Sequence, residues 1–238
     1  MTGLADCALE LNYQGIVEID MKYSFTILLR GFVILIIAAA SAFPQQELTR
    51  EAALQTLENS EAEIRASAAN RLGEVGVMDD VVPLLNTLRD ESELVRNTAE
   101  QSIWRIWSRS GDANVDRLYA RGIREMNEGS LARAISTFSE IIKLKPDFAE
   151  GWNKRATLYF MTEQYDKSLE DCDEVMKRNP YHFGALSGYG HIHMEFRLIE
   201  QAIEYFQRAV KINPNMGSIL RLIDRLERQI KEQREKSV

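Results

Sequence analysis

The alternation of apolar and polar positions repeats along the C-terminal half of the chain. Pro146, Pro180 and Pro214 are equally spaced, and each ends a segment with the same pattern. Their spacing matches the period of about 34 residues that is typical of arrays of helical hairpins. Proline ends a helix because it lacks the N–H that would continue the hydrogen-bond ladder. The pattern predicts three antiparallel helix pairs, at residues 115–127 with 131–144, 149–161 with 165–178, and 183–195 with 199–212.

Two sets of aligned positions indicate how the helices of each pair meet. Two helices approach closely only where one side chain is small, and a large apolar side chain nearby fills the remaining space. Cys172 stands at one of the large positions, so we expect looser packing in the second pair. The aligned small residues are Gly122, Ala156 and Gly190, and the aligned large positions hold Phe138, Cys172 and Phe206.

The segment that follows Pro214 predicts one more helix. Apolar residues at 219, 222, 223, 226 and 230 share one helical face, and charged residues occupy the opposite face. Residues 217–231 therefore read as a capping helix that covers the last pair and keeps it soluble. Residues 232–238 are expected to be disordered.

These residues resemble the tetratricopeptide repeat (TPR). The middle repeat carries Trp152, Ala156, Tyr159, Ser168 and Pro180 in the family's positions, and the third carries Leu186, Gly190, Ala202, Phe206, Ala209 and Pro214. Three departures stand out: Glu125 and His193 replace the usual tyrosine that ends the first helix, and Cys172 replaces an aromatic residue. The resemblance implies an all-α fold, a right-handed α-solenoid of antiparallel helical hairpins that binds proteins and is not an enzyme.

A second, weaker repeat with a slightly shorter period precedes the first. Residues 57, 64, 65, 68, 72 and 75 recur in kind, at one constant spacing, at 88, 95, 96, 99, 103 and 106. The pattern resembles the HEAT-like repeat, which implies that Arg65 and Arg96 pair with carboxylates of the neighbouring turn. We expect Trp104 and Trp107 to bury the junction with the first TPR hairpin, so that the two repeat types form one continuous solenoid.

The N-terminus carries a different signal. After Met21-Lys22 comes an apolar run at residues 32–40, and Ala40-Ser41-Ala42 follows as a small-x-small site. This order is typical of a secretory signal peptide cleaved after Ala42. An uncleaved anchor using residues 23–43 and an internal helix are the alternatives.

The arrangement resembles exported bacterial TPR proteins. It predicts an exported, periplasmic or secreted protein, or alternatively a membrane-anchored one with membrane contact through residues 22–43. The predicted organisation is residues 1–20 as a non-native extension or disordered, 21–42 as signal peptide or anchor, 43–111 as HEAT-like repeats, 112–216 as three TPR repeats, and 217–238 as capping helix and disordered tail.

Composition and short motifs exclude several classes of function. The formal net charge is −7, and no basic cluster is interleaved with aromatic residues, so nucleic-acid binding is disfavoured. Two cysteines, Cys7 and Cys172, imply no disulfide framework. Phosphate-binding loops, a nucleophile elbow and zinc motifs are absent from the sequence, and His191 and His193 face different ways on a helix. We therefore predict no cofactor, no metal and no enzyme activity.

The candidate site is the inner face of the TPR helices, which the repeat register assigns. Tyrosine, phenylalanine, methionine and amide side chains make an adaptable surface for an extended peptide or a partner helix. The predicted groove residues are Tyr119, Ile123, Met126, Asn127, Asn153, Thr157, Phe160, Met161, Ser187, His191 and Met194. The Lys, Asn and Arg clamp by which some TPR domains hold chaperone C-termini is missing, since Tyr119 and Ile123 stand at its first-repeat positions.

Three functions follow from these patterns. The first is a non-catalytic protein-interaction scaffold or assembly factor outside the cytoplasm, which binds its partner in the TPR groove. The second is a membrane-anchored component of an envelope assembly or secretion system. The third, disfavoured, is an enzyme that uses Cys172 and His193, because Cys172 stands at a packing position where cysteine behaves as a small apolar residue. Partner identity and oligomeric state are not predicted.

Overall fold

The computed structural model describes residues 48–236, and within that range the regular structure is entirely helical. The predictions for residues 1–20 and 21–42 lie outside the described residues. The helices are α1 (Arg50–Thr56), α2 (Ala62–Val75), a 3₁₀ turn (Met78–Asp80), α3 (Val81–Thr87), α4 (Glu93–Trp107), α5 (Ala113–Asn127), α6 (Leu131–Leu144), α7 (Ala149–Met161), α8 (Tyr165–Arg178), α9 (Phe183–Glu195), α10 (Ile199–Ile212) and α11 (Gly217–Lys236). The predicted all-α solenoid class is confirmed.

The three predicted hairpins form as α5–α6, α7–α8 and α9–α10. Helix α5 begins at Ala113, slightly earlier than the predicted residue 115. The Asp112 side chain caps it by accepting hydrogen bonds from the N–H groups of Asn114 and Val115. The two helices of the first and third hairpins approach most closely at the predicted small residues. A Cβ added to Gly122 would lie 2.7 Å from the Phe138 ring, and one added to Gly190 would lie 2.4 Å from the Phe206 ring.

The turn inside each hairpin has the same backbone geometry. Gly129, Glu163 and Arg197 occupy equivalent positions of the three repeats, and all three have positive φ, at 72°, 58° and 60°. After each of them, the next N–H donates to a carbonyl of the last helical turn at 2.8 Å. This bond pattern is the Schellman end of a helix, which normally uses glycine. Two of the three turns therefore place a residue with a Cβ in a left-handed conformation.

The amino-terminal helices form two further hairpins, α1–α2 and α3–α4. The Arg65 guanidinium donates to both carboxylate oxygens of Asp90, at 2.7 and 2.8 Å, so its predicted pairing with the neighbouring turn is confirmed. Arg96 bonds the carbonyl oxygens of its own preceding turn and, at 3.0 Å, Asn215 Oδ1. Arg96 therefore bonds an amide oxygen rather than the expected carboxylate, because Asn215, which follows α10, lies where the turn of a further HEAT-like repeat was expected.

The junction between the two repeat types differs from the prediction. Trp107 stacks on His182 with ring centroids 4.5 Å apart, and Trp104 meets Phe183 edge to face at 5.3 Å. Both partners belong to the start of the third TPR hairpin, so the expected burial against the first hairpin is wrong. The packing partner is set by which apolar surfaces remain uncovered rather than by nearness along the chain. Arg89 donates to the Lys211 carbonyl at 2.6 Å and extends this junction.

Helix α11 covers the last hairpin as a capping helix. Ile219, Ile223 and Leu226 are buried against α10 residues that include Phe206. The helix continues to Lys236, beyond the predicted end at position 231, so the expectation of disorder for residues 232–236 is wrong. Alternating opposite charges along its last two turns support the added length.

Candidate functional site

A pocket of about 210 Å³ opens between α7, α8 and α9, and we refer to it as the α7–α9 pocket. Five of the predicted groove residues line it, from both first helices concerned. They are Asn153, Thr157, Phe160, Ser187 and His191. The remaining wall is made by small or apolar residues, which are Ala156, Ser168, Cys172, Gly184, Ala185, Gly188 and Ile192. The pocket therefore has an apolar interior and polar groups at its rim.

The pocket exists because the second hairpin lacks its aromatic residue. In the first and third hairpins, Phe138 and Phe206 are fully buried and fill the space beside a glycine. Ala156 and Cys172 occupy the corresponding positions here, and together they have much less volume. Gly188 adds room on the other wall, where an added Cβ would meet only Cys172 Sγ, at an ordinary 3.5 Å. The replacement of the aromatic residue by Cys172 is thus the cause of the α7–α9 pocket.

The polar rim is partly organised by internal hydrogen bonds. Thr157 Oγ1 donates to the Asn153 carbonyl at 2.9 Å, and Asn153 Nδ2 donates to both carboxylate oxygens of Glu150 at 3.0 and 3.2 Å. Within the described residues, Asn153 Oδ1 accepts no hydrogen bond. His191 packs edge to face on Phe206 at 5.0 Å, and its burial lowers the pKa of the imidazole below 6.5 despite the nearby charge of Glu195.

The other predicted groove residues do not share this pocket. The Tyr119 ring packs against Phe138 and Phe148, and Ile123 and Met126 contact the same apolar cluster. Met194 packs toward α10 and α11, while Asn127 and Met161 lie at the surface. The first-repeat aromatic residue is therefore largely a packing residue in this structure.

A buried carboxylate lies directly behind the rim, and the sequence did not indicate it. Glu150 is 0% exposed and makes contact with four donors. His182 Nε2 lies 2.6 Å from its Oε1, and Tyr119 Oη lies 3.3 Å and Lys154 Nζ 3.4 Å from its Oε2. The fourth donor is Asn153, which links the carboxylate to the pocket.

The tautomer of His182 follows from its second nitrogen. The Ala185 N–H donates to Nδ1 at 2.9 Å, so Nδ1 carries a lone pair and the proton sits on Nε2, facing Glu150. The ring thereby caps α9 and donates to the carboxylate at the same time. Burial by itself would raise the pKa of Glu150, but the bond from His182 and the charge of Lys154 outweigh it and hold that pKa below its ordinary value of 4.5. Glu150 is therefore an ionised, fully bonded anchor.

The thiol at the base of the pocket has no activating partner in this geometry. Burial, with the charges of Asp171 and Asp173, raises the pKa of Cys172 to about 12. His193 Nδ1 lies 2.8 Å from the Tyr189 carbonyl oxygen, and its ring packs on Tyr205. A protonated thiol is a weak nucleophile. Among residues 48–236, no group of three or more histidine, cysteine or carboxylate side chains is placed to hold a metal ion.

Comparison with known proteins identifies the repeats. Residues 119–183 and residues 184–216 each match the tetratricopeptide repeat family. The predicted TPR repeats are therefore confirmed over that part of the chain. The HEAT-like assignment of the amino-terminal hairpins stays a prediction.

Two curated relatives each match about half of this chain. A TPR repeat-containing protein of Rhizobium etli is 36% identical over 108 residues, which are 45% of this chain and 53% of that protein. The small glutamine-rich tetratricopeptide repeat-containing protein of Dictyostelium discoideum is 26% identical over 126 residues, 53% of this chain and 38% of that protein. The chain thus spans about half or less of the length of these curated relatives. The Sgt2 TPR domain of Aspergillus fumigatus superposes with a TM-score of 0.49 at 20% identity, over 52% of this chain and 83% of that domain.

The relatives contradict the predicted location. The Dictyostelium protein and anaphase-promoting complex subunit 3 of Schizosaccharomyces pombe, which is 26% identical over 101 residues, are intracellular proteins. The prediction of an exported, periplasmic or secreted protein, with its membrane-anchored alternative, is therefore wrong. In the part of the chain that the structure describes, no helix is both long enough and apolar enough to cross a membrane.

Proposed function

We propose that this chain, whose residues 119–216 form tetratricopeptide repeats, is a non-catalytic protein-interaction scaffold that binds an extended peptide or a partner helix on the inner face of α5, α7 and α9. The observation that carries the proposal is the α7–α9 pocket, which brings Asn153, Thr157, Phe160, Ser187 and His191 together. The predicted groove residues outside the pocket, Met161 and Asn127 above all, extend the proposed surface beyond it.

The size and lining of the pocket favour a single apolar side chain of a peptide. About 210 Å³ is below the range of about 300–1,000 Å³ that is usual for small-molecule sites. Phe160, Cys172 and Ile192 supply apolar contacts, and transfer of an apolar side chain from water into such a pocket is favourable.

The rim supplies a group suited to a peptide backbone. Asn153 Oδ1 is held in place by the bonds of Nδ2 to Glu150, and it can accept from a backbone N–H of the partner. Because Glu150 is itself fixed by His182 and Lys154, the amide is ordered before the partner arrives. Such preorganisation lowers the entropy cost of binding.

We also propose that the amino-terminal hairpins are HEAT-like repeats that support the TPR face rather than bind on their own. The bidentate Arg65–Asp90 pair and the contacts of Arg96 with its preceding turn support this assignment. Trp104 touches the start of α9, where Gly184 also lines the pocket. The amino-terminal segment thus packs next to one residue of the pocket wall.

The test fills the pocket with the pair that the neighbouring repeats already use. The double variant Ala156→Gly, Cys172→Phe recreates the glycine–phenylalanine packing of the first and third hairpins and should fold with a circular dichroism spectrum like the wild type. A random dodecapeptide display library is selected on the full chain. We expect the wild type to enrich peptides that share one apolar position, and the double variant to lose that enrichment.

The variant Ala156→Gly alone is the matched control, since it leaves the pocket open. It should select the same apolar position as the wild type. Identical selected pools from the wild type and the pocket-filled variant would show that the pocket does not bind the partner.

A further inference from the structure

Helix α5 has a face that the other first helices of the TPR hairpins bury. In α7 and α9 this face packs against the preceding hairpin, and its buried residues are Gly151, Leu158, Ala185 and Ile192. Helix α4 precedes α5 in the chain, but it packs on α2, α3 and the start of α9. The equivalent positions of α5 hold Arg117 and Arg124, and both side chains are exposed.

Four exposed charged residues form a stripe along this face of α5. Each follows the one before it by three or four residues, the spacing that keeps side chains on one side of a helix. Three are basic and the last is acidic. We call them the α5 stripe, which consists of Arg117, Arg121, Arg124 and Glu128.

Helix α8 carries an exposed stripe with the same spacing and with every sign reversed. We call it the α8 stripe, which consists of Asp166, Glu170, Asp173 and Lys177. Each of its residues lies the same number of positions after its counterpart in α5. If the two helices lie parallel, all four positions meet an opposite charge. If they lie antiparallel, both end positions meet a like charge, so the pattern selects the parallel alignment.

Half of these charges have no ion-pair partner within residues 48–236. They are Arg117, Arg124, Asp166 and Glu170. The other four have a polar partner on their own or a neighbouring helix, which is Glu140 for Arg121, Arg133 for Glu128, Tyr189 for Asp173 and Glu174 for Lys177. Both stripes therefore keep charge that another molecule can neutralise.

We propose that α5 of one copy of this chain docks in parallel on α8 of a second copy, through the α5 and α8 stripes. A second copy is the partner because the complementary pattern lies on the same chain. Within one chain, α6 and α7 lie between the two helices, so the stripes cannot pair intramolecularly. In the contact, Arg117 faces Asp166 of the partner subunit, and Glu128 faces the partner's Lys177.

The direction of the helices is compatible with a symmetric dimer. The chain reverses direction at each of the three turns between α5 and α8, so the two helices run in broadly opposite directions. A two-fold axis perpendicular to them reverses the direction once more. Helix α5 of each copy then runs parallel to α8 of the other, and one dimer can form both contacts.

The contact is small and mainly electrostatic. Each stripe covers about 16 Å of helix. Exposed ion pairs contribute little individually, and stable interfaces bury more surface than one pair of helix faces offers. The association is therefore weak, and it decreases as salt screens the charges.

Helix α11 carries a competing stripe with the same order of charges as α5. Its residues are Arg221, Arg225, Arg228 and Glu232, and all are exposed. Asp224 lines the same depression as these three arginines and partly compensates them, whereas the matching position in α5 holds Ala120. The uncompensated face of α5 is therefore the better partner for α8.

The experiment reverses the ends of each stripe without changing the net charge. One variant of the full chain carries Arg117→Glu and Glu128→Lys, and a second carries Asp166→Lys and Lys177→Glu. Sedimentation equilibrium at low salt measures the dissociation constant for self-association. We expect each variant to raise that constant at least about tenfold, because two opposite pairs become like pairs. The chain with all four changes should associate like the wild type, because its end pairs are opposite again.

Two controls accompany these variants. The changes in α8 oppose its helix dipole, so the second variant is less stable than the wild type. Recovery in the chain with four changes excludes misfolding as the cause of lost association, since changes in α5 would not refold α8. The matched control Arg221→Glu, Glu232→Lys reverses the ends of the α11 stripe, again without a change of net charge. It should associate like the wild type.

Four outcomes would overturn the inference. The first is a wild type that stays monomeric at low salt and high protein concentration. The second is lost association in the α11 control, which would move the contact to that helix. The third is a chain with four changes that fails to recover, which would show that the two stripes do not face each other. The fourth is a monomeric wild type that binds phosphatidylserine vesicles through the α5 stripe, which would assign that stripe to a membrane surface. None of these variants changes a residue of the α7–α9 pocket, so the proposed function is tested separately.

Discussion

At the scale of single residues, the fold depends on a carboxylate that is completely withdrawn from water. Glu150 keeps its charge because His182, Tyr119, Asn153 and Lys154 surround it. Removing one partner of a buried, hydrogen-bonded charge is costly, since the others are left without a bond. Glu150 stands in the first turn of a helix, where an exposed acidic residue is common, so nothing in the sequence separates it from a surface position.

The pKa of Glu150 gives a direct prediction. Because this pKa is lower in the fold than the ordinary 4.5 of the unfolded chain, the unfolded chain takes up the proton first as pH falls. The stabilisation by the charge is therefore complete above about pH 4.5 and is lost as the pH falls below it. Glu150→Gln should lower the free energy of unfolding at pH 7 by about 2 kcal/mol and flatten its pH dependence in that window. Urea unfolding at several pH values measures both, and parallel pH curves for the two proteins would refute the assignment.

At the scale of elements, two of the turns inside the hairpins carry residues that lower the stability of the fold. Gly129 occupies the left-handed position in the first hairpin, whereas Glu163 and Arg197 occupy it in the second and third. Side chains with a Cβ are disfavoured there by about 1–2 kcal/mol. The two exposed side chains are thus present at a cost to stability.

We expect Glu163→Gly and Arg197→Gly each to raise the free energy of unfolding by up to about 1 kcal/mol, because relief of the left-handed strain exceeds the added flexibility of glycine. Gly129→Ala is the converse change and should lower it by a similar amount. Midpoints of urea unfolding, with the slope checked for constancy, decide the signs. A loss of stability in both glycine variants would show that the turns are not strained.

At the scale of elements, the helices could be predicted from the sequence, whereas contacts between distant helices could not. The repeat period predicted every TPR helix, since the small and large positions are local and repeated. Cys172 was recognised as an exception, yet the pocket it opens also requires Gly188 from another helix. The position of Trp107 was misjudged, because its partner His182 is remote in sequence.

At the scale of the whole molecule, α1–α4 are joined to the end of the TPR array. Asn215 Nδ2 donates to the Leu88 carbonyl at 2.8 Å, and its Oδ1 accepts from Arg96 at 3.0 Å. One side chain therefore links the amino-terminal hairpins to the residues between α10 and α11. Its removal takes one hydrogen-bond partner from each of two partly buried groups, the Leu88 carbonyl and the Arg96 guanidinium.

We expect Asn215→Ala to lower stability by about 1–3 kcal/mol and to speed amide hydrogen exchange in α1–α4 more than in α5 and α6. Asn127→Ala, on the surface of α5, is the control and should leave exchange unchanged. Hydrogen exchange followed by mass spectrometry on proteolytic fragments resolves the two regions. Uniform acceleration along the chain would indicate that Asn215 supports the fold as a whole rather than this junction.

The junction also changes how the chain should fold. In an open array each repeat touches only its neighbours, so folding can start anywhere and spread, and a terminal repeat can fray alone. Here the bonds Arg89–Lys211, Arg96–Asn215 and Leu88–Asn215 join segments from opposite ends of the described chain. Closing so long a loop costs chain entropy before the contacts compensate for it, which slows the final step of folding. Residues 48–236 should consequently unfold in one cooperative transition, and truncation before Asn215 should destabilise α1–α4.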